Sequence, residues 1–353
     1  MRIAIVNDVR MAVEALRRVV STVPEYQIAW VAEDGEEAVR RCAANIPDLI
    51  LMDLMMPRMG GAEATRVIMR DSPCAILVVT SSVSRHSSKV FEAMGWGALD
   101  AVRTPVLADG PAPGSELLAK IAMIGKLLGK SRRRAPRLPA LGTAAGKVQP
   151  GFPLVVIGAS TGGPTALARV LTGLPSTFPA AVAIVQHVDE VFAPGLAEWL
   201  ARESSREVRV IKPNDSPIAP SIYLASTNDH LLLTPELKFS YESEPLEYYY
   251  RPSVDVFFQA VARYWRGTAV GVLLTGMGED GAKGLLAMRR AGFHTIAQDR
   301  STCIAYGMPK AAAKLDAAVE ILPLEQIPEA ISRAILGAPT SSKGALCDQF
   351  PPS

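Results

Sequence analysis

The sequence predicts an α/β protein made of two parallel-sheet units in succession, each doubly wound with helices on both faces. Three observations carry that expectation. At 353 residues, the chain is long for one compact core. Short apolar runs of strand length alternate with helical patterns almost throughout. A stretch rich in Pro, Gly, Ala and basic residues breaks the alternation once, and similar patterns resume beyond it.

Residues 1–129 hold five apolar runs: Ile3–Val6, Ile28–Ala32, Leu49–Met52, Ala75–Val79 and Ala98–Val102. Between them lie segments such as MAVEALRRVV, which places Ala12, Ala15, Leu16 and Val19 on one helical face. In such sheets, ligands bind beyond the carboxyl ends of strands. Those ends lead here to Asn7-Asp8, Asp53, Thr80-Ser81 and Arg103-Thr104-Pro105. Two carboxylates and a hydroxyl on one rim suit a hard cation and a phosphoryl group. The plainer alternative makes Asp8 and Asp53 helix caps or turn residues.

This half resembles the receiver domain of two-component response regulators, which implies a flavodoxin-like, five-stranded parallel sheet. In LILMDLMMPRMGG, Asp53 matches the phospho-accepting aspartate. The resemblance further implies Mg²⁺ held by Asp8, Asp53 and the carbonyl of Met55, with Thr80 as the switch hydroxyl. Two positions depart from the pattern. Asn7-Asp8 stands where two acids are usual, and Thr104 where a lysine precedes the proline. That lysine normally answers the phosphoryl charge, so its loss should weaken coupling to the switch.

Residues 130–151 read as a linker. They carry Lys130, Arg132, Arg133, Arg134, Arg137 and Lys147 without an acid. A nucleic-acid patch is the alternative, but no aromatic residue interleaves the basic ones and no helix-turn-helix pattern follows. Residues 337–353 read as a disordered tail. A net charge of +2 gives no global field toward nucleic acid or membrane, and the apolar runs are too short to span a bilayer. The four cysteines lack metal-ligand spacing and no signal peptide is evident, which predicts a cytoplasmic protein.

Residues 152–336 repeat the alternation. Strands are expected at PLVVIG, Ala180–Val185, Ser221–Ser226, Ala269–Leu274 and HTIAQD. A helix with Val254, Phe257, Phe258, Val261 and Trp265 on one face supports the fourth of them. The first strand runs into Gly158-Ala159-Ser160-Thr161-Gly162, a G-x-S-x-G turn. Ser160 could cap the next helix, cradle a phosphate or act as a nucleophile. A phosphate loop would want glycine at the middle position of G-x-G-x-x-G, where Ser160 stands, or a lysine just inside the helix, and no lysine occurs between Gly158 and Leu167. A strand-to-helix turn of this kind exposes a serine oxygen beside backbone N–H groups that can bind an oxyanion. Thr161 could take over the capping.

A nucleophilic serine needs a base, usually a histidine held by an acid. His187 ends a strand directly; His230, after a more irregular loop, is the rival. His86 reads as a surface residue and His294 as a turn residue. For the acid, Asp280 in TGMGEDG competes with Glu279. The order Ser160, His187, Asp280 differs from the Ser–Asp–His order of α/β-hydrolases, which argues against that fold.

The segments VVIGASTGGP, IVQHV, YYYRPSVDVFF and LLTGMGEDGAKGLLAMRRAG resemble the catalytic domain of the chemotaxis protein-glutamate methylesterases, the CheB family. Together with the receiver, the resemblance covers nearly the whole chain. It implies Ser160 as nucleophile, His187 as base and Asp280 as the orienting acid. Thr161 and the N–H of Met277 would help bind the oxyanion, and Arg251 would line the substrate groove. It also implies methylated chemoreceptor helices as substrate, a histidine kinase as phosphodonor, and ester hydrolysis without a cofactor. The amino-terminal segment and the receiver departures look like the branch serving surface-sensing systems that control a diguanylate cyclase. A receiver-controlled binding protein with a silent catalytic domain is the competing expectation, and a DNA-binding regulator the third.

Overall fold

A computed structural model describes residues 1–81, 83–105, 114–128, 151–245, 248 and 250–337; the side chains of 83–88, 126 and 127 fall outside the description. The expected linker and tail lie outside the described residues, apart from Gly151 and Gly337.

The first sheet contains β1 (Arg2–Val6), β2 (Gln27–Ala32), β3 (Leu49–Met52), β4 (Ala75–Thr80) and β5 (Asp100–Arg103), all parallel, in the order β2-β1-β3-β4-β5. Helices α1 (Arg10–Val20), α2 (Gly35–Ala44), α3 (Gly61–Asp71), α4 (Val83–Gly95) and α5 (Ser115–Leu127) connect or follow these strands. Strands β3 and β4 are buried along their whole length, as expected for a sheet covered on both faces. The order reverses between β1 and β3, and the crevice at that switch point lies where Asp8 and Asp53 leave their strands.

The second sheet has seven parallel strands in the order β14-β13-β12-β6-β7-β9-β8. They are β6 (Leu154–Ala159), β7 (Ala181–Gln186), β8 (Val208–Val210), β9 (Ile222–Leu224), β12 (Ala269–Leu273), β13 (His294–Gln298) and β14 (Glu320–Leu322). A separate antiparallel hairpin joins β10 (His230–Leu233) to β11 (Phe239–Glu242). The helices are α6 (Gly163–Gly173), α7 (Ala193–Ser204), α8 (Val254–Tyr264), α9 (Ala282–Arg290), α10 (Met308–Lys314) and α11 (Ile327–Leu336). On α8, Val254, Phe257, Phe258 and Val261 are fully buried, and they join Leu154, Leu273 and Trp265 in one apolar cluster. The chain leaves β6 for β7 on one side and returns to β12 on the other, so a second switch point lies beyond β6.

Several sequence expectations need correction. The fifth strand begins at Asp100 rather than Ala98, because Gly97 turns at φ +111° and the Asp100 carboxylate is held by Lys120 Nζ at 2.7 Å. The third expected strand of the second unit shortens to Ile222–Leu224. Strands β8 and β14 are short and alternately exposed, too weakly apolar to register. His230 follows an irregular loop, as expected, and opens the β10–β11 hairpin.

The two sheets share one packed body. Phe91 on α4 meets Trp199 on α7 with ring centroids 6.1 Å apart, and both are buried. Burying rings of this size contributes roughly 2–3 kcal/mol each. Around that contact, Thr165 Oγ1 donates to the carbonyl of Met94 at 3.3 Å, and Arg103 lies 3.9 Å from the Asp189 carboxylate. The Tyr250 hydroxyl donates to Met123 Sδ on α5 at 3.1 Å.

Candidate active site

The register of the second sheet places the candidate residues side by side. Ala159 on β6 pairs with Gln186 on β7, and the N–H of His187 donates to the Ala159 carbonyl at 3.0 Å. Ser160 and His187 are therefore the next residues along adjacent strands, which run about 4.8 Å apart. On the other flank, Gly158 pairs with Leu273, and Ser160 N–H donates to the Thr275 carbonyl at 3.0 Å. The loop from Leu274 to Gly281 is thus brought over Ser160.

The turn at Ser160 is tight. Gly163 N–H donates back to the Ser160 carbonyl at 2.7 Å, and Gly162 adopts φ +76°. A side chain at Gly163 would come within 1.9 Å of Gln186 Oε1. Gln186 Nε2 in turn donates to the carbonyls of Ser160 and His187, at 2.9 and 3.1 Å, tying the two strand ends together. Neither Ser160 nor Thr161 caps α6: the N-cap is Gly162, with no side-chain cap bond. Thr161 is buried, and its carbonyl accepts from Thr275 Oγ1 at 2.9 Å. The capping expectation fails because the glycine that permits the sharp turn also takes the cap position.

His187 Nε2 and Asp280 Oδ2 are 2.8 Å apart, with side chains only 6% and 7% exposed. Asp280, not Glu279, therefore meets the histidine; Glu279 is exposed. A bond to carboxylate puts the imidazole proton on Nε2. Nδ1 is buried and has no hydrogen-bond partner among the described residues. One ring nitrogen is anchored, and the other can accept a proton. Asp280 also accepts from Ser253 Oγ (2.7 Å), Val254 N–H (2.7 Å) and Asp255 N–H (3.2 Å) at the start of α8. Burial alone would raise its pKa, but these bonds, with that from His187, hold it below the usual carboxylate range.

His230 sits differently. It is fully buried; its Nδ1 accepts from Ser253 N–H at 3.2 Å and its Nε2 bonds the Pro245 carbonyl at 3.1 Å. Burial lowers its pKa, and both ring nitrogens are occupied, so it supports the α8 entrance instead of acting as a base. His294 opens β13, the strand it was expected to start, and its Nε2 hydrogen-bonds Glu320 Oε1 at 2.7 Å, so it is a strand residue and not a turn residue. The side chain of His86 lies outside the described residues. Met277 is buried in the glycine loop, and Arg251 is exposed just ahead of Ser253.

Two neighbours of the site escaped sequence reasoning. Tyr250 stacks on His187, with ring centroids 4.2 Å apart and planes within 8°. Asp255, 4% exposed, accepts from Gly284 N–H at 2.6 Å, and its carboxyl is pushed up to about 7 by burial and then by the Asp280 charge. Its folded pKa exceeds the unfolded one, so its stabilising contribution is complete below the ordinary carboxylate pKa and is lost as pH rises through about 7. Asp255→Asn cannot ionise. The melting temperature of the parent should therefore fall relative to that variant between about pH 5 and pH 8. Parallel melting curves across that range would refute this assignment.

At the receiver rim, Asp8 is exposed and Asp53 is 9% exposed, with Leu54 N–H donating to Asp53 Oδ1 at 2.8 Å. Asn7 Oδ1 accepts from Val9 N–H at 2.8 Å, so this side chain shapes the loop. Carboxylate and carbonyl oxygens are the hard donors that Mg²⁺ takes, so Asp8, Asp53 and the Met55 carbonyl fit that ion by the chemistry of their oxygens. Thr80 is buried, and its carbonyl accepts from Thr104 N–H at 3.0 Å, which brings the main chains of the two threonines together.

Fold and site define a class: a phospho-receiver joined to an α/β hydrolytic domain with histidine and aspartate beside a strand-end serine. The comparisons agree. Residues 3–109 match the response regulator receiver domain, and residues 155–331 match CheB methylesterase. A protein-glutamate methylesterase/protein-glutamine glutaminase of Bordetella avium is 57% identical over 93% of this chain and 95% of its own. One from Pseudomonas aeruginosa is 55% identical over 93% and 97%. The crystal structure of the Thermotoga maritima CheB methylesterase catalytic domain superposes with a TM-score of 0.50 at 33% identity, covering 52% of this chain and 98% of that one. The chain belongs to the CheB methylesterase family.

Proposed function

We propose that this receiver-linked methylesterase hydrolyses the γ-methyl ester of glutamate on the helices of a chemoreceptor, with Ser160 as nucleophile. The observation that carries the residue assignment is the His187 Nε2 to Asp280 contact beside Ser160, with Nδ1 left without a partner. Nδ1 takes the Ser160 proton as Oγ attacks the ester carbonyl. Thr161 and the N–H of Met277 stabilise the tetrahedral oxyanion. The imidazolium returns the proton to the methoxide, methanol leaves, and an acyl-enzyme remains. Water then attacks the acyl group, His187 accepts its proton and returns it to Ser160, and a carboxylate is released. A glutamine side chain would follow the same steps with ammonia as leaving group. Arg251, exposed at the site's edge, suits an acidic receptor helix. Each turnover adds one negative charge to that helix, which alters its electrostatics and so its signal. Methanol release from a methylated receptor, with and without a phosphodonor, tests the reading; no release in either condition rejects it.

Control runs through Asp53, phosphorylated by a histidine kinase. Asp8, Asp53 and the Met55 carbonyl would hold Mg²⁺, which when bound offsets phosphoryl charge during transfer. The phosphoryl group adds about −1.5 to −2 charges. Thr104 offers it only a hydroxyl, so the two receiver states differ by less free energy than where lysine answers. Thr104→Lys should enlarge the activation ratio under saturating phosphodonor and Mg²⁺, and Asp53→Ala should abolish the response. A parent already activated as fully as Thr104→Lys, or an Asp53→Ala variant still responding, counts against this account. Among the described residues, no helix is long and apolar enough to cross a membrane. A cytoplasmic site of action accords with the receptor helices proposed as substrate.

A further inference from the structure

Tyr250 touches three things at once. Its ring lies parallel on the His187 imidazole at 4.2 Å. Its edge abuts the glycine loop, since a Cβ on Gly278 would come 3.8 Å from Tyr250 Cε2. Its hydroxyl donates to Met123 Sδ on α5 of the receiver. We infer that Tyr250 is the positioning residue of the catalytic histidine and the point where the receiver bears on the active site. The inference rests on the acyl-transfer reading above.

The physical case is as follows. His187 is anchored at Nε2 by one hydrogen bond, which leaves the ring free to tilt about that anchor. A parallel aromatic ring in van der Waals contact removes the tilt and so fixes the direction in which Nδ1 is presented. It also shields one face of the imidazole from water. Small misplacements of a base are costly in rate. The hydroxyl end, tied to α5, prevents Tyr250 from moving aside for an incoming receptor helix while the receiver is docked. Undocking frees that end and keeps the stack. The residue thus orients the base in both states and limits access in one.

The full chain tests this with Tyr250→Leu, Tyr250→Phe and Met123→Leu, assayed on methylated receptor with and without phosphodonor. Tyr250→Leu loses the stack, and its kcat should fall about tenfold with KM little changed, while Tyr250→Phe recovers most of that kcat. Tyr250→Phe and Met123→Leu each remove the hydroxyl–sulfur bond while a ring stays on His187, and the unstimulated rate of each should rise about threefold over the parent's. In NMR spectra, the His187 ring protons should carry an upfield ring-current shift that survives in Tyr250→Phe and vanishes in Tyr250→Leu. A Tyr250→Leu kcat equal to the parent's, or a Met123→Leu unstimulated rate equal to the parent's, overturns the inference. Full turnover by Ser160→Ala would reject the acyl-enzyme reading instead, and the ring-current shift still decides the stack.

Discussion

Replacing Ser160 by alanine is expected to cut ester hydrolysis by about 10⁴-fold or more while leaving the melting temperature near that of the parent. The hydroxyl is the proposed attacking group, and the turn is held by main-chain bonds from Ser160 N–H to Thr275 and from Gly163 N–H to Ser160, which alanine keeps. His187→Ala should be nearly as inactive, because no other base stands beside Ser160 among the described residues; both nitrogens of His230 are bonded elsewhere. Asp280→Ala should lose activity and stability together. That carboxylate accepts from Ser253 Oγ and from the N–H groups of Val254 and Asp255, so its loss strands buried donors at the start of α8. Each stranded donor costs about 1–3 kcal/mol. Turnover measurements paired with thermal melts check the pattern. Substantial activity in Ser160→Ala would exclude the covalent route, and a severe loss in His230→Ala with His187→Ala active would move the base.

The alternation of apolar runs with helical patterns was enough to read both sheets, because buried parallel strands such as β3, β4, β6 and β7 are apolar at nearly every position. The strand-end rule then pointed to Ser160, His187, Asp8 and Asp53, since a side chain's place along a strand is a local property. What could not be read is what depends on tertiary approach. Nothing in the spacing of Tyr250 says that it will lie flat on His187. Asp280 is the first choice from the sequence but keeps Glu279 as a rival until α8 is seen to start against it. Asp255 sits on an apolar helix face, where a charged residue looks misplaced until Gly284 N–H and Asp280 are seen beside it. Strands β8 and β14 are three residues each with exposed positions, below the length at which period two is detectable.

Removal of the receiver is the second large effect expected. The α4–β5–α5 side of the receiver meets the catalytic domain through Phe91 against Trp199, Met94 against Thr165, Arg103 against Asp189, and Met123 against Tyr250. The last of these contacts lies over His187, the proposed base, so on the reading above a docked receiver and an approaching receptor helix would compete for the same space. A fragment from Gly151 onward should therefore be more active than the unphosphorylated full chain. Couplings between sites commonly amount to 5–150-fold, and the apolar Phe91–Trp199 contact argues for roughly tenfold here. The phosphorylated full chain should fall between the two, because Thr104 supplies no cation to drive full release. The fragment should fold alone, since its seven-stranded sheet has its own apolar cluster and the Thermotoga maritima catalytic domain, 33% identical, was solved as a separate chain. Specific activities of the fragment and of the full chain, with and without phosphodonor, are the measurement. Equal activities of fragment and unphosphorylated chain would mean that the receiver recruits the enzyme to its receptor instead of blocking it, and the Tyr250–Met123 contact would then be a packing contact only.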